Sequence, residues 1–84
     1  MRDTLRSPAQ DQLRALLRRL RREAGLTQAE VAAELKKPQS FVAKYEKGER
    51  KLSAVELVYV ARALRARPEA VIAQLATAID KVDR

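Results

Sequence analysis

The hydrophobic residues near the start of the chain recur at helical spacing. Four leucines lie at intervals of three, one and three residues: Leu13, Leu16, Leu17 and Leu20. This spacing places them on one face of an α-helix. Ser7 is suited to cap that helix and Pro8 to its first turn, and Gln10 completes a capping-box pattern. The pattern predicts a first helix over about residues 8–24, ended by Gly25 in a left-handed conformation.

The same signals predict four more helices. Thr27–Glu30 and Ser53–Glu56 are capping boxes that open the second and fourth helices, and Pro38 and Pro68 suit the first turn of the third and fifth. The predicted helices cover about residues 27–35, 38–47, 53–65 and 68–82. The expected fold is all-α. It is a single compact five-helix bundle over residues 1–84, with residues 1–7 flexible and residues 68–82 a candidate dimerisation element.

Composition narrows the range of functions. The 84 residues include no Cys and no His, so disulfides, thiolate metal sites and zinc fingers are excluded. The usual catalytic base and the commonest metal ligand are missing as well. We therefore expect no enzyme activity, no metal, no cofactor and no small-molecule ligand. The chain has no signal-peptide pattern and no apolar run near ~20 residues, which predicts a cytoplasmic protein, held on the nucleoid when bound to DNA.

Charge suggests the kind of partner. The chain has 18 basic and 11 acidic side chains, a formal net charge of +7, which favours a polyanion such as nucleic acid or an acidic membrane surface. Residues 36–51 alone hold six cations and two anions. Capping boxes and tight turns specify a closed bundle, which disfavours a membrane-surface peptide. One Phe and two Tyr are few for an RNA-stacking surface.

The second and third predicted helices have the spacing of a helix-turn-helix motif. Each is short, about three residues connect them, and the third has a polar outer face, as expected of a helix that enters the DNA major groove. Val31, Leu35, Val42 and Tyr45 are the expected inner anchors, with Ala32 as the small residue at the crossing. The outer face of the third helix carries the remaining side chains: Gln39, Ser40, Ala43, Lys44 and Lys47.

Two short segments carry a family resemblance. Gly25–Gln28 and Tyr45–Arg50, at this separation, resemble the XRE family of lambda-repressor-like and Cro-like helix-turn-helix regulators, and the resemblance covers about residues 12–75. It implies a five-helix fold and a homodimer that binds palindromic double-stranded DNA operators through the helix at 38–47. Within this class, the chain's compactness is also similar to that of restriction-modification controller proteins, operator-binding antitoxins and small phage regulators. The simplest expected action is repression by promoter occupation.

The resemblance also implies residue roles. It directs the outer face of the third helix toward base edges through Gln39, Ser40, Ala43 and Lys44. Their chemistry agrees, because Gln suits adenine, Lys suits guanine and an Ala methyl suits a thymine methyl. The expected DNA-backbone contacts are Gln28, Lys36, Lys37, Lys47, Arg50 and Lys51. The family pattern further pairs Arg21 with Glu46.

The turn between the second and third helices departs from the family pattern. The turn usually carries Gly where Lys36 stands and an apolar residue where Lys37 stands. Because a left-handed conformation at Lys36 costs ~1 kcal/mol, we expect the turn to take a different backbone path that slightly rotates the third helix.

Three interpretations stay open. The first-helix arginines are either a second nucleic-acid contact or, as we favour, a solvated face: Arg14, Arg18, Arg19 and Arg22. Phe41 either touches a thymine methyl or pads the third helix over Tyr45. The alternative function is a protein-bridging or antitoxin-type module, in which binding of a protein partner is the primary function and DNA contact is secondary.

Helices four and five carry more apolar residues than one bundle needs. Such a helix is normally buried on two sides, which indicates an interface. The dimer-interface candidates are Val55, Tyr59, Leu75, Ile79 and Val82. A two-fold dimer there would set the recognition helices about 34 Å apart. Alternatively, the fifth helix merely covers the core and leaves some apolar residues exposed.

Overall fold

The computed structural model describes residues 7–82 as five α-helices, with no strand in that part of the chain. The helices are α1 Pro8–Glu23, α2 Gln28–Leu35, α3 Gln39–Lys47, α4 Ala54–Ala63 and α5 Pro68–Val82. The predicted all-α fold is confirmed. Of the segment expected to be flexible, residues 1–6 lie outside the described residues, whereas Ser7 caps α1. No helix between residues 7 and 82 is long and apolar enough to cross a membrane.

Side-chain caps start three of the helices. The Ser7 hydroxyl accepts from the Gln10 amide at 3.1 Å. At α2 the bonds are reciprocal: the Thr27 amide donates to the Glu30 carboxylate at 2.8 Å, and the Glu30 amide donates to the Thr27 hydroxyl at 3.0 Å. Ser53–Glu56 forms the same reciprocal box at α4. These caps satisfy amides that have no partner within a helix, so they set where each helix begins.

The turn between α2 and α3 follows the left-handed path. Lys36 has φ 56° and ψ 42°, so the expectation of a different path was wrong. The Lys37 amide donates to the Ala32 carbonyl at 3.0 Å, and the Lys36 amide to the Ala33 carbonyl at 3.1 Å. This is the Schellman bond pattern, and it also ends helices at Gly25, Gly48 and Arg65. Two backbone bonds offset the strain at Lys36.

The core lies where the five helices meet. α1 packs on α5 and α3, α2 packs on α3 and α4, and α4 packs on α5. The largest fully buried side chains are Leu17, Val31, Val42, Val60 and Val71. Tyr45 and Ala32 are also buried, and Leu35 packs partly buried against this core. The expected anchors of the helix-turn-helix are therefore on its inner side, and α3 is held in one orientation.

Lys36→Gly is expected to stabilise the protein by about 1 kcal/mol, because glycine adopts positive φ without the Cβ clash and the turn keeps both backbone bonds. Chemical denaturation measures the change. Lys37→Gly is the control: Lys37 is not among the positive-φ residues, so glycine there adds freedom to the unfolded chain and removes the Lys37 contact with Phe41, and both changes lower stability. A loss of stability in Lys36→Gly would contradict the argument.

Candidate nucleic-acid interface

The outer face of α3 is polar, basic and open. Gln39, Ser40, Lys44 and Lys47 are exposed, and Ala43 is half-buried. On the opposite side, Val42 and Tyr45 are buried in the core. Among residues 7–82, Lys44 and Lys47 form no ion pair, and neither does the exposed Lys36 beside α3. These three ammonium groups are free to meet an external anion.

A buried ion pair ties α1 to the end of α3. Arg21 Nε donates to Glu46 Oε2 at 2.7 Å and Arg21 Nη2 donates to Oε1 at 3.1 Å. Glu46 is only 5% exposed, and its hydrogen bonds raise the pKa of Arg21. Arg21 Nη1 also donates to the Leu26 carbonyl at 2.9 Å, so the same guanidinium holds the connection between α1 and α2. The pair implied by the family resemblance is therefore present.

The Glu46 carboxylate extends this network to the first residue of α3. Gln28 Nε2 donates to Glu46 Oε1 at 3.0 Å, and Gln39 Nε2 donates to Gln28 Oε1 at a long 3.5 Å. The Gln28 side chain was expected to reach a phosphate, but in the structure it joins Glu46 to Gln39. Nothing in the sequence spacing links residues 28 and 46, and only packing of α2 on α3 brings them together.

The Arg50 guanidinium forms hydrogen bonds with neighbouring groups of the protein. Its Nη1 and Nη2 donate to the two carboxylate oxygens of Glu56 at 3.0 and 2.8 Å, and Nη1 also donates to the Lys51 carbonyl at 2.8 Å. The pKa of Glu56 falls to about 2, because Arg50 and the Ser53 amide both bond its carboxylate. The sequence suggested a phosphate contact for Arg50 and a capping-box role for Glu56, and the structure pairs the two.

Phe41 packs against the protein. Its ring meets the Tyr45 ring edge-on, with centroids 5.7 Å apart, and the Arg50 guanidinium lies 4.6 Å from its centre. Lys37 Nζ lies 5.6 Å from the same ring. Of the two roles left open for Phe41, the structure shows the padding of α3 over Tyr45. Burial raises the pKa of Tyr45, whose hydroxyl has no hydrogen-bond partner among residues 7–82, so Tyr45 acts as an apolar anchor.

Some arginines of α1 form ion pairs and others do not. Arg14 pairs with Asp11 at 3.0 Å, and Arg19 pairs with Glu23 at 3.2 Å. Arg18 and Arg22 are exposed, with no ion pair inside residues 7–82. Both a solvated face and a second nucleic-acid contact require exposed arginines, so the solvated face stays a prediction.

The dimer-interface candidates differ in exposure. Val55 is 66% exposed and Tyr59 is 59% exposed, and both border a groove of about 330 Å³ whose lining includes Phe41. Val82 is exposed and Ile79 is half-buried. Leu75 is partly buried and packs against the core, so part of its side chain contributes to the packing of the bundle. Ile72, 50% exposed, was not among the candidates, although its place in the apolar arc of α5 was visible in the sequence.

Comparison with known proteins identifies the family. A family model described as a helix-turn-helix domain matches residues 12–75. An XRE-family like protein from Pseudomonas syringae pv. tomato is 39% identical, with 82% of this chain and 84% of that chain covered and a TM-score of 0.79. This chain belongs to the XRE-like helix-turn-helix family. Its members are DNA-binding regulators of transcription.

Two restriction-modification controller proteins have similar structures. C.AhdI from Aeromonas hydrophila is 31% identical, with 74% of this chain and 94% of that chain covered and a TM-score of 0.68. The crystal structure of C.Esp1396I shows a tetramer in complex with its natural 35 base-pair operator. That protein is 19% identical, with 88% of this chain and 97% of that chain covered and a TM-score of 0.80. Comparison with curated proteins gave no match.

Arg21→Ala and Glu46→Ala are each expected to cost about 3–5 kcal/mol of stability, because removal of one partner leaves the other charge buried and unpaired. Urea denaturation measures the loss. Arg67→Ala is the matched control, since the Arg67–Glu69 pair has side chains 82% and 68% exposed, and its loss is expected to leave stability unchanged. Wild-type stability in both core variants would contradict the role of the pair.

Proposed function

We propose that this protein is a sequence-specific, double-stranded DNA-binding repressor that acts as a homodimer on a palindromic operator. The observation that carries the proposal is the outer face of α3, where polar and basic side chains are exposed and Lys44 and Lys47 form no ion pair among the described residues. A structural surface of the bundle has no need of this arrangement, whereas a major-groove reader requires it.

The base-reading roles follow from the chemistry of that face. Gln39 is the candidate for a bidentate contact to adenine, and Lys44 for donation to guanine O6 and N7. Ser40 bonds several bases, and the Ala43 methyl suits a thymine methyl. Gln28 supports this role for Gln39. The side-chain oxygen of Gln28 accepts from the Gln39 amide group, and the side-chain amide group of Gln28 donates to the Glu46 carboxylate. Gln39 therefore meets DNA with a restricted set of rotamers.

We assign the phosphate contacts to cations in and beside α3 and to the start of α2. Lys36, Lys37, Lys47 and Lys51 lie in α3 and in the connections before and after it, where they would flank a groove entered by α3. Gln28 is the first residue of α2, and its backbone amide belongs to the unpaired positive end of that helix, which favours a phosphate. In this proposal the backbone of Gln28, rather than its side chain, serves the phosphate.

The dimer rests on the exposed apolar side chains of α4 and α5. Val55 and Tyr59 are one helical turn apart on α4, and both are more than half exposed. Ile72 and Val82 add exposed apolar surface on α5. Such surface marks an interface more often than a solvent-facing side. C.Esp1396I, which has the same fold, binds its operator as a tetramer, so this scaffold accommodates self-association on DNA.

A protein-bridging or antitoxin-type module is the second candidate. The groove bordered by Val55 and Tyr59 favours it, because its lining is mainly apolar and includes Leu35, Phe41 and Val60. Selection of bound duplexes from a random DNA pool separates the two functions. A reader yields one half-site repeated with two-fold symmetry, whereas a module that only bridges proteins yields no consensus sequence.

Gln39→Ala and Lys44→Ala are each expected to relax base preference at one position of each half-site, at a cost of about 1–3 kcal/mol of discrimination. The selected motif, sequenced for each variant, measures this. Lys47→Ala is the control, since loss of a phosphate contact weakens binding to every sequence alike. An unchanged motif in both variants would show that α3 is not the reader.

Tyr59→Glu is expected to shift the protein from dimer to monomer, because it places a charge within the proposed apolar interface. Sedimentation equilibrium measures the association constant. Ala33→Glu, at an exposed position on α2, is the control and should leave association unchanged. Wild-type protein that stays monomeric at high micromolar concentration and binds half-sites without cooperativity would refute this dimer.

A further inference from the structure

The connection between α3 and α4, residues 48–53, is organised around one guanidinium. Arg50 makes a two-bond pair with Glu56, the first-turn acid of α4, and bonds the Lys51 carbonyl in the connection itself. Its guanidinium carbon lies over the ring of Phe41, a residue of α3, 4.6 Å from the ring centre. One side chain therefore contacts α3, the connection and α4.

Arg50 matters to α3 because of how the helices pack. The main packing partners of α3 are α1 and α2, whereas α4 packs on α2 and α5. Arg50 supplies a side-chain link from α3 to α4, by stacking on Phe41 and pairing with Glu56. A planar guanidinium performs both tasks at once, because its edge bonds a carboxylate while its face stacks on a ring.

The same contacts make Arg50 a poor phosphate ligand. Three of its five N–H groups already have acceptors. Its Nε–H and its second Nη2–H have no acceptor among residues 7–82, and a phosphate bonded to them would lie close to the Glu56 carboxylate, whose negative charge repels it. Left intact, the Arg50–Glu56 pair carries no net charge and releases no counterion from DNA.

We propose that Arg50 is a positioning residue, which fastens the recognition helix to α4 through Phe41 and Glu56 and neutralises no DNA phosphate. This inference rests on the proposed function of the α3 face. It leaves charge neutralisation to other cations around α3, such as Lys47, which forms no ion pair among residues 7–82.

The salt dependence of DNA binding tests the assignment with Arg50→Lys, Arg50→Ala and Lys47→Ala. Affinities for a mixed-sequence duplex and for the selected operator are measured over a range of salt concentrations. Lys47→Ala should reduce the slope of log K against log salt by about 0.9, the value for one lost phosphate contact. Both Arg50 variants should keep the wild-type slope and the mixed-sequence affinity but lose affinity for the operator, because α3 is less firmly placed.

Arg50→Lys is the decisive variant, because it keeps the charge and loses the fork and the planar face. Wild-type operator affinity in Arg50→Lys, with a reduced slope in Arg50→Ala, would show that Arg50 is a phosphate ligand and would overturn the proposal. A reduced slope in Arg50→Ala alone would overturn it equally.

Thermal melts without DNA test the positioning contact independently. Arg50→Lys and Glu56→Gln should each lower the melting temperature by a few degrees, and the double variant should lower it no further than Arg50→Lys alone, because the ion pair with Glu56 is already lost there. Gln at position 56 keeps the capping-box chemistry, so the loss reports the ion pair. Additive effects would overturn the proposal. Wild-type protein that binds no duplex would instead refute the proposed function, and the melts would still decide whether Arg50 and Glu56 act as a unit.

Discussion

The arrangement of the helix-turn-helix depends on one buried carboxylate. Glu46 is 5% exposed at the end of α3, and a charge so placed is unfavourable unless it is paired and hydrogen-bonded. Arg21 supplies two bonds from α1, and Gln28 supplies one from α2. The three elements that form and support the helix-turn-helix thus meet at a single group, and any shift of α3 would leave part of that charge unsatisfied.

The helix ends show how backbone bonding outweighs local preference. Lys36 and Arg65 take left-handed conformations at positions where glycine is more usual. Each ends its helix with the same two backbone hydrogen bonds that Gly25 and Gly48 make. Because those bonds satisfy carbonyls that otherwise have no partner, the motif forms with lysine or arginine at the cost of local strain.

Charge counting overstates the surface that is open to DNA. Residues 36–51 hold six cations, yet Arg50 is bound to Glu56 and Lys37 lies over Phe41. On α1, Arg14, Arg19 and Arg21 are paired with carboxylates. The electrostatic attraction for a polyanion comes from net charge, whereas the specific phosphate contacts come from the few cations whose donors remain available.

The sequence alone determined the five helices, their limits to within about two residues, the inner and outer faces of α3 and the family. Those features follow from capping boxes, prolines and helical periodicity, which act over a few residues. The left-handed turn at Lys36 was missed for a local reason: the residue type predicts a penalty, and two backbone bonds between residues 32 and 37 offset it. The bonding of Gln28 and the pairing of Arg50 with Glu56 were decided by the tertiary structure, because the approach of α2 to α3 and of Arg50 to α4 exists only once the bundle has closed.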